Sequence, residues 1–459
     1  MKIAFIHYSI GESGGVNSVM RSNAIGLRKI YKNVHITFIG AIDSYVMKGE
    51  NVKHINIKEL GVKPNIILEF TKQTAEDYIK IGERLYQKLK KAIDKIDYVV
   101  IENPVIGINP PATYAFYRLV MDNKKGKRKI IYRIHDFPEE RKNNFQNLKK
   151  FTGKGNIPYW HDILYPKTDN SGFIVLNTTG FDRLRRNKVK ANKIFLLSNS
   201  VNEDLIEKDV KTSEELRKHI IREESLESDE KFLFYPVRVI PRKNVEEAIF
   251  LTMFLREHLR ENYYLLVSLI ETRFEGSDYP SIIQRFVKKN NLPVRLGLHL
   301  SIKRKEKNNK IEDFGLGDAY NICDKVITTS ILEGFGLFFI ESWYFNKAII
   351  GRDLPMVTKD FKKAGINLNH LYSRLLIGKK DFTEIKSLKE KLNLSLKLKD
   401  KAFCNKVYKD NKKTLNNMIR LIKGKNERKL ITGNRKRVIK NFSSKQIAKN
   451  LIKAFKTVF

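Results

Sequence analysis

Short apolar runs alternate with amphipathic or polar stretches along most of the chain. A first series reads KIAFIHY, VHITFIG, YVVIENP, KIIYRIHDF and GFIVLN, and a later series reads KFLFYPVRVI, YYLLVSLI, CDKVITTS and KAIIG. Each run has the length of a buried strand and is followed by a turn signal and a stretch of helical or polar character. This alternation is typical of βα units around a parallel sheet, and the two series predict two doubly wound α/β domains in tandem.

The segment between the two series predicts the domain boundary. Residues 203–230 are highly charged, contain EELRKHIIREESLESDEK and lack a strand-like run, so we expect a surface helix and a linker there. The N-terminal domain is predicted at residues 1–200 and the C-terminal domain at residues 201–435. The amphipathic segment 436–459 is interpreted as a C-terminal helix.

The charge of the chain narrows the class of partner. The 88 Lys and Arg residues outnumber the 51 Asp and Glu residues, which gives a formal net charge of +37. Such a charge predicts an anionic partner, and nucleic acid, lipid head groups and phosphorylated metabolites all satisfy it. The RNP1 aromatic pattern and the paired Cys/His finger of nucleic-acid-binding proteins are both absent, which argues against nucleic-acid binding as the primary role. A basic nucleic-acid-binding protein is the alternative interpretation.

Cysteine usage and hydropathy predict where the protein works. The chain has two cysteines, Cys323 and Cys404, too few for a disulfide framework or a Cys-rich zinc site. No apolar stretch approaches the roughly 18 residues that a membrane-spanning helix needs. The N-terminus also lacks the apolar region and cleavage site of a secretory signal. A cytoplasmic location is therefore expected.

The most informative motif lies in CDKVITTSILEGFGLFFIESWYFNKAIIGRDLP. A buried strand is followed by Glu333, Gly334 and Gly336, and then by an apolar helix that contains Glu341. The glycines allow a sharp turn that exposes backbone amides beside a helix N-terminus, which suits a phosphate. A carboxylate in an apolar helix is costly unless it bonds a ligand hydroxyl or a basic partner. This setting, rather than the spacing of the two acids, predicts a functional site.

The segment EGFGLFFIE resembles the E-x7-E signature of retaining glycosyltransferases of the GT-B architecture, family 4. The resemblance implies two Rossmann-like domains that face a central cleft, with a C-terminal helix at 436–459 that packs back on the N-terminal domain. It implies a retaining hexosyltransferase that moves a sugar from a nucleoside-diphosphate sugar to a hydroxyl acceptor. No cofactor is implied beyond that co-substrate. No D-x-D motif is present, so we expect no metal.

A second landmark supplies the cations for the donor. In YPVRVIPRKNVEEAI a strand ends with Arg238, and Lys243 follows at the opening of a helix. The resemblance implies that both bind the donor diphosphate, with Arg242 as a helper. Fixed cations stabilise the negative charge that the leaving nucleoside diphosphate gains as the glycosidic bond breaks.

The resemblance also assigns the motif residues to the donor. It implies that Glu333 bonds hydroxyls of the sugar and that Glu341 bonds hydroxyls of the ribose. The amides around Gly336 and Leu337 are expected to receive the diphosphate, and Phe335 is included in the donor site.

Two N-terminal segments complete the predicted site. In GESGGVNSVMRSNAIGL, Gly14 and Gly15 resemble the family's glycine loop and are assigned to the acceptor, although a close approach to the donor phosphates fits the same loop. In YRIHDFPEER, His135 resembles the histidine that lies near the donor sugar. Arg133 and Arg141 are further candidates for acceptor contact.

The predicted catalytic residues are therefore Glu333, His135, Arg238 and Lys243. The acceptor stays open between a polysaccharide, a lipid-linked acceptor and a small acidic metabolite. YPVRVIPRKN, IHDFPEER and GDAY resemble a branch of family 4 that glycosylates small solutes of the glycerate or sugar-phosphate type. The last 59 residues contain only two acidic residues, so peripheral contact with the anionic inner face of a membrane is a further alternative.

Overall fold

A computed structural model describes residues 1–11, 14–61, 74–123, 126, 128–153, 157–201, 203, 210–271, 277–308 and 310–459, and all counts below refer to these residues. The chain divides into two compact units. Unit 1 comprises Met1–Asn202 and Phe442–Phe459, and unit 2 comprises Glu203–Asn441. The predicted division lay at residue 200 and residue 435.

Unit 1 is built on a parallel sheet of seven strands. The strands are β1 (Lys2–Ile10), β2 (His35–Ile42), β3 (Val52–Asn56), β4 (Tyr98–Glu102), β5 (Lys129–Ile134), β6 (Ser171–Val175) and β7 (Ile194–Leu196). Their order across the sheet is β3-β2-β1-β4-β5-β6-β7. The helices between them are α1 (Gly15–Ile30), α2 (Ala75–Ala92), α3 (Pro110–Asp122), α4 (Lys142–Phe151), α5 (Trp160–Leu164) and α6 (Thr178–Arg186).

Unit 2 is built on a parallel sheet of five strands in the order β10-β9-β8-β13-β14, with two small antiparallel pairs, β11-β12 and β15-β16. Its strands are β8 (Lys231–Arg238), β9 (Tyr263–Leu269), β10 (Val294–Leu296), β11 (Lys305–Lys307), β12 (Lys310–Asp313), β13 (Lys325–Thr328), β14 (Ala348–Gly351), β15 (Leu376–Ile377) and β16 (Lys380–Asp381). Its helices are α7 (Val210–Glu223), α8 (Val245–Leu259), α9 (Tyr279–Lys289), α10 (Leu316–Ile322), α11 (Phe338–Tyr344), α12 (Pro355–Lys363), α13 (Leu388–Lys397), α14 (Lys401–Ile422) and α15 (Glu427–Phe442).

The last helix of the chain, α16 (Ser444–Thr457), belongs to the core of unit 1. Its buried side chains, among them Ala448 and Leu451, share a hydrophobic cluster with Ala24 and Leu27 of α1. A side chain at Gly26 of α1 would collide with the backbone of α16, so the two helices approach each other closely at a glycine. Residues 436–459 thus comprise the end of α15 and all of α16.

Both sides of the unit 1 sheet are covered. Phe5 of β1 points into the cluster shared with α1 and α16, whereas Ala4 and Ile6 point into a second cluster on the other side, which includes Phe116 of α3. Alternate residues of a strand face opposite sides of a sheet, so a strand covered on both sides reads as a continuous apolar run. The prediction of doubly wound parallel sheets is confirmed.

No helix of the described ranges is both long and apolar enough to cross a membrane.

Candidate active site

The segment between β13 and α11 carries both acidic residues of the EGFGLFFIE motif. β13 ends at Thr328 and α11 begins at Phe338, so Glu333 lies in the loop and Glu341 in the first helical turn. Gly336 has a φ of 73°, a left-handed conformation that only glycine adopts without a steric cost. The loop therefore turns directly from the carboxyl end of the strand into the helix.

Glu333 forms a buried ion pair with Lys243. Nζ of Lys243 donates to Oε1 of Glu333 at 2.5 Å, and the two residues are 8% and 7% exposed. Nη1 of Arg242 lies 3.8 Å from Oε2 of Glu333 and donates to the carbonyl oxygen of Leu332 at 3.2 Å. A buried charge requires a partner of opposite sign, so this pair fixes both side chains at the junctions that follow β8 and β13.

The hydroxyl of Tyr235 ties the two junctions together. It donates to the carbonyl oxygen of Lys243 at 2.8 Å, lies 2.8 Å from Oγ of Ser330 and accepts the backbone N–H of Thr329 at 3.2 Å. Oγ1 of Thr329 donates to the carbonyl oxygen of Asn244 at 2.9 Å. The backbone around Lys243 is therefore held to the backbone that leads to Glu333.

A buried ionic network fixes the start of α8, directly after Lys243. Nε and Nη2 of Arg352 donate to the two carboxylate oxygens of Glu247 at 2.8 and 2.9 Å. Nη2 of Arg352 also donates to Oδ1 of Asp381 at 3.0 Å. Nδ2 of Asn244 donates to Oε2 of Glu247 at 2.6 Å. Because a bidentate pair fixes direction as well as distance, the network anchors the helix that follows the Lys243 junction.

Glu341 is buried beside a hydroxyl group. It is 5% exposed, and the hydroxyl of Tyr320 donates to its Oε2 at 3.1 Å. No ion pair to Glu341 is found within the described part of the chain. Burial raises the pKa of Glu341 to about 7, so this carboxyl group changes its charge near neutral pH.

Arg238, the other predicted diphosphate ligand, has a different environment. It is the last residue of β8, its side chain is 50% exposed, and its Nη1 lies 3.5 Å from Oε1 of Glu271. The structure thus pairs Lys243 with Glu333 and pairs Arg238 with Glu271. Arg238 and Lys243 remain at the same βα junction, five positions apart in sequence.

The remaining motif residues shape the loop. The ring of Phe335 packs edge to face against Phe361 with centroids 5.1 Å apart. A side chain at Gly336 would press on the ring of Phe339. Leu337 is the N-cap residue of α11. These contacts hold the turn between Glu333 and Glu341 in one shape.

In unit 1, His135 follows β5 and contacts Glu102 at the end of β4. Nε2 of His135 lies 2.6 Å from Oε2 of Glu102, and both side chains are buried. The backbone N–H of His135 donates to Oδ1 of Asn103 at 3.2 Å. Two neighbouring strands therefore fix the ring and the backbone of this residue.

Arg133 supports Glu102 from the side. Its Nη1 lies 3.9 Å from Oε1 of Glu102, and both side chains are fully buried. Nη2 of Arg133 donates to Oδ1 of Asn199 at 2.9 Å. Burial alone would raise the pKa of Glu102, but the Arg133 guanidinium and His135 outweigh it and lower that pKa below its ordinary value. Arg133, a sequence candidate for acceptor contact, is thus enclosed in the core of unit 1.

The glycine loop is described only in part. Gly14 has a φ of 100° and is the N-cap residue of α1, and Gly15 is the first residue of that helix. The two residues before them, Glu12 and Ser13, lie outside the described residues. Gly14 therefore occupies a backbone conformation that favours glycine. Arg141, the other candidate, pairs with Asp136 at 3.4 Å.

Sequence reasoning missed three supporting residues: Glu102, Tyr235 and Tyr320. Glu102 ends the apolar run YVVIE, and an acid at the end of a buried strand was a usable signal. The two tyrosines lie in apolar segments and carry no comparable signal, since buried tyrosine is common in cores. Their hydroxyl partners depend on the fold.

Similar proteins were found by sequence. No protein-family model matches the chain. A mannosylglucosyl-3-phosphoglycerate synthase from Petrotoga mobilis is 28% identical over 389 residues, which cover 82% of this chain and 69% of that protein. A mannosylglucosylglycerate synthase from Thermotoga maritima is 24% identical over 410 residues, which cover 82% of this chain and 86% of that protein.

Solved structures identify the fold. A sucrose-phosphate synthase from Thermosynechococcus elongatus superimposes with a TM-score of 0.59 at 14% identity, covering 100% of this chain and 99% of that one. HepE from Anabaena, in complex with UDP-glucose, superimposes with a TM-score of 0.57 at 13% identity and covers 99% of each chain. The fold is GT-B. The seven-stranded and five-stranded sheets are the two Rossmann-like domains of this GT-B chain, as predicted.

Proposed function

We propose that the chain is a retaining glycosyltransferase that moves a hexosyl group from a nucleoside-diphosphate sugar to a hydroxyl group of a small acidic acceptor. The observation that carries the proposal is the buried ion pair of Lys243 and Glu333, which lies at the carboxyl ends of β8 and β13. Glu341 lies in the first turn of α11, the helix that follows the Glu333 loop. Ligands of open α/β sheets bind outside the carboxyl ends of the strands. The GT-B fold and the names of the similar synthases support the same assignment.

Unit 2 supplies the donor residues in this proposal. Lys243 and Arg238 bind the diphosphate, since cations fixed at that position stabilise the charge of the leaving group. Glu333 accepts hydrogen bonds from sugar hydroxyls, and Glu341 accepts them from ribose hydroxyls. The amides around Gly336 and Leu337 add donors to the phosphate oxygens. These cations act in place of a metal ion, so we expect transfer to survive a chelator.

The proposed reaction takes place on one face of the sugar. The bond between the anomeric carbon and the diphosphate oxygen breaks, and a bond from the same carbon to the acceptor oxygen forms on the same face. The proton of the acceptor hydroxyl passes to the departing phosphate oxygen, so the reaction needs no protein nucleophile. Retaining glycosidases instead place two carboxyl groups about 5 Å apart around the bond that breaks.

Unit 1 contributes His135 and the glycine loop. We assign His135 to a hydroxyl of the transferred sugar, and its contact with Glu102 at 2.6 Å keeps the ring in one orientation. Gly14 and Gly15 are assigned to the acceptor. An acidic acceptor matches the net charge of +37, because a positive field raises the local concentration of anions.

A donor screen followed by a variant assay tests the proposal. A nucleotide sugar that binds only the native state raises the melting temperature, so a thermal-shift panel selects the donor. Transfer of that sugar to glycerate and phosphoglycerate derivatives is then measured in Glu333→Ala and Lys243→Ala. We expect kcat to fall by about 10²–10³ in each, as for the loss of one charge-stabilising group.

Lys325→Ala is the matched control. Lys325 is also a buried lysine, and its Nζ lies 2.5 Å from Oε1 of Glu427, but it begins β13 instead of following its carboxyl end. This variant should lose a comparable ion pair and keep its kcat. Unchanged transfer in folded Glu333→Ala and Lys243→Ala would reject the site.

A further inference from the structure

A cavity of about 680 Å³ lies in unit 2 between α14, α15 and the segment that follows α12. None of the residues assigned to the donor or the acceptor lines it. Four basic residues of its lining come from the end of α14, the turn after it and α15: Arg420, Lys425, Lys429 and Arg437. All four residues are exposed. We call this cavity the basic groove.

The four cations of the basic groove are not paired with acids: Glu427, two residues from both Lys425 and Lys429, pairs with Lys325 instead. The lining contains no aspartate or glutamate. Within the described part of the chain, none of the four side chains takes part in an ion pair or a side-chain hydrogen bond. Four like charges around one concave space repel each other and attract a multivalent anion.

In another cavity of unit 2, the two arginines of the lining are paired. That cavity, of about 1050 Å³, is lined by both acids and bases. There Arg295 lies 2.6 Å from Glu223, and Arg256 pairs with Glu230. The arginines of that cavity therefore pair with acids of the same lining, whereas the two arginines of the basic groove do not.

The walls of the basic groove are held in place by side-chain amides. Asn434 of α15 is 2% exposed. Its Oδ1 accepts the backbone N–H of Asn367 at 2.8 Å, and its Nδ2 donates to the carbonyl oxygen of Asn367 at 2.9 Å. On the other wall, Nδ2 of Asn417 donates to the carbonyl oxygen of Asn369 at 3.4 Å. Both helices are thus bonded to the same segment, which gives the groove a defined shape before any ligand binds.

Gly433 leaves the backbone of α15 uncovered beside the basic groove. It lies inside α15 and lines the basic groove, although glycine is a poor residue for a helix interior. A side chain there would meet no protein atom within 4 Å. Packing within the described chain therefore does not require glycine at this position. Glycine leaves room there for a ligand to approach the helix backbone, in space that a side chain would occupy.

The lining also indicates which anion fits. Arginine recognises phosphate through two parallel hydrogen bonds, and the groove has two arginines. Its one ring is His370, whose Nε2 donates to the carbonyl oxygen of Ile349 at 2.7 Å, and burial lowers the pKa of His370 to about 4. That ring is therefore uncharged, and because His370 is only 6% exposed it offers little surface on which a base or a sugar could stack.

We propose that the basic groove binds a phosphorylated ligand through its phosphate groups, at a site separate from the transfer reaction. The phosphate belongs either to a small metabolite or to an anionic lipid head group. Both sources present anionic phosphate oxygens, and the experiment below separates them.

Two probes and two double variants test the site. Calorimetric titration with inorganic pyrophosphate represents the soluble source, and co-sedimentation with phosphatidylglycerol vesicles, against phosphatidylcholine vesicles, represents the lipid source. R420Q/K429Q removes two groove charges, and K412Q/K413Q removes two exposed charges from α14 outside the groove. We expect R420Q/K429Q to bind one of the probes at least about tenfold more weakly and K412Q/K413Q to bind it as the wild type does. Equal binding of both probes by the two double variants would overturn the proposal.

Gly433→Ala separates ligand contact from stability. Alanine favours the helix, so the melting temperature should rise by about 2 °C. The new methyl group should at the same time weaken binding of the probe that R420Q/K429Q fails to bind. A structural role would move both quantities in one direction. A stabilised Gly433→Ala variant that binds this probe as the wild type does would contradict the ligand contact.

Discussion

Two buried carboxyl groups, one in each unit, lie in opposite electrostatic settings. In unit 1, Glu102 is fully buried between Arg133 and His135, and its pKa lies below its ordinary value. In unit 2, Glu341 is buried with only the hydroxyl of Tyr320 as a partner, and its pKa is raised to about 7. Burial penalises the charge of both groups, and a nearby cation reverses the outcome in one of them. The charge of a buried carboxyl group is thus decided by its neighbours.

Glu333 combines features of both cases. It is as buried as Glu341 and, like Glu102, has a cation within reach, because Nζ of Lys243 lies 2.5 Å away. In the proposed donor complex, Lys243 would be shared between Glu333 and the diphosphate. The motif EGFGLFFIE therefore holds one carboxylate paired with a lysine and one carboxyl group that titrates near neutral pH.

Removing the charges of the Lys243–Glu333 pair together should have the largest effect. A single change leaves an uncompensated buried charge and destabilises the fold by about 3–5 kcal/mol. The double variant K243M/E333Q removes both charges and should recover most of that loss. Its kcat should still be about 10²–10³ lower than that of the wild type, because one of the two proposed cations for the leaving group is absent. A stable double variant that transfers sugar at the wild-type rate would show that the pair is only structural.

The protonation of Glu341 should make stability depend on pH. Its pKa rises from an ordinary 4.5 to about 7 in the folded chain, so the folded state binds a proton more tightly than the unfolded state does. Folding stability from this group is present below pH 4.5 and is lost as the pH rises through about 7. Urea unfolding of the wild type and Glu341→Gln should therefore diverge by about 3 kcal/mol between those limits. Parallel pH profiles would contradict the assignment.

Glu102→Gln should produce the opposite slope. The folded pKa of Glu102 lies below its ordinary value, so its contribution is present above about pH 4.5 and is lost as the pH falls through the folded pKa. The variant loses a charged hydrogen bond to His135, which corresponds to about 2 kcal/mol at neutral pH. Urea unfolding of the wild type and the variant measures the stability lost at neutral pH and shows how this difference shrinks at acidic pH. If Glu102→Gln has wild-type stability at neutral pH, the negative charge of Glu102 is not needed to stabilise the buried guanidinium of Arg133.

We expect the smallest effect from alanine substitutions at glycines that have a left-handed backbone conformation. Gly336 has a φ of 73° and Gly378, in the β15–β16 hairpin, has a φ of 62°. Alanine at either position costs about 1 kcal/mol for the left-handed conformation. Only at Gly336 would the new methyl group also press on the ring of Phe339, beside Glu333. Gly336→Ala should therefore lower kcat, and Gly378→Ala should not. Equal kcat values for Gly336→Ala and Gly378→Ala would show that the shape of the loop at Gly336 does not affect the reaction.

The sequence predicts the sheets better than the contacts of the site. Runs such as KFLFYPVR and YVVIE became β8 and β4 because strands covered on both faces are apolar throughout. The pair β11-β12 was not predicted, because its segments KEK and KIED carry charge and form only a small exposed hairpin. A pattern of apolar residues indicates which segments are buried, and these two short strands are mostly exposed.

The site was predicted in its parts but not in its pairings. Lys243 and Glu333 were each placed after a strand, yet their ion pair joins residues 90 positions apart. The pair forms because β8 and β13 are neighbours in the sheet. The sequence of either segment alone does not predict the order of the strands. The partnership of Glu102 with His135 depends in the same way on the pairing of β4 with β5.

The position of α16 also matters while the protein is being made. Its apolar side chains cover Met20, Ala24 and Leu27 of α1, but they are synthesised more than 400 residues later. At about 5–20 residues per second, translation leaves that surface of the nascent chain bare for roughly half a minute on average. Of the two units, unit 1 therefore starts to be synthesised before unit 2 and gains its full hydrophobic core only after unit 2 has been made.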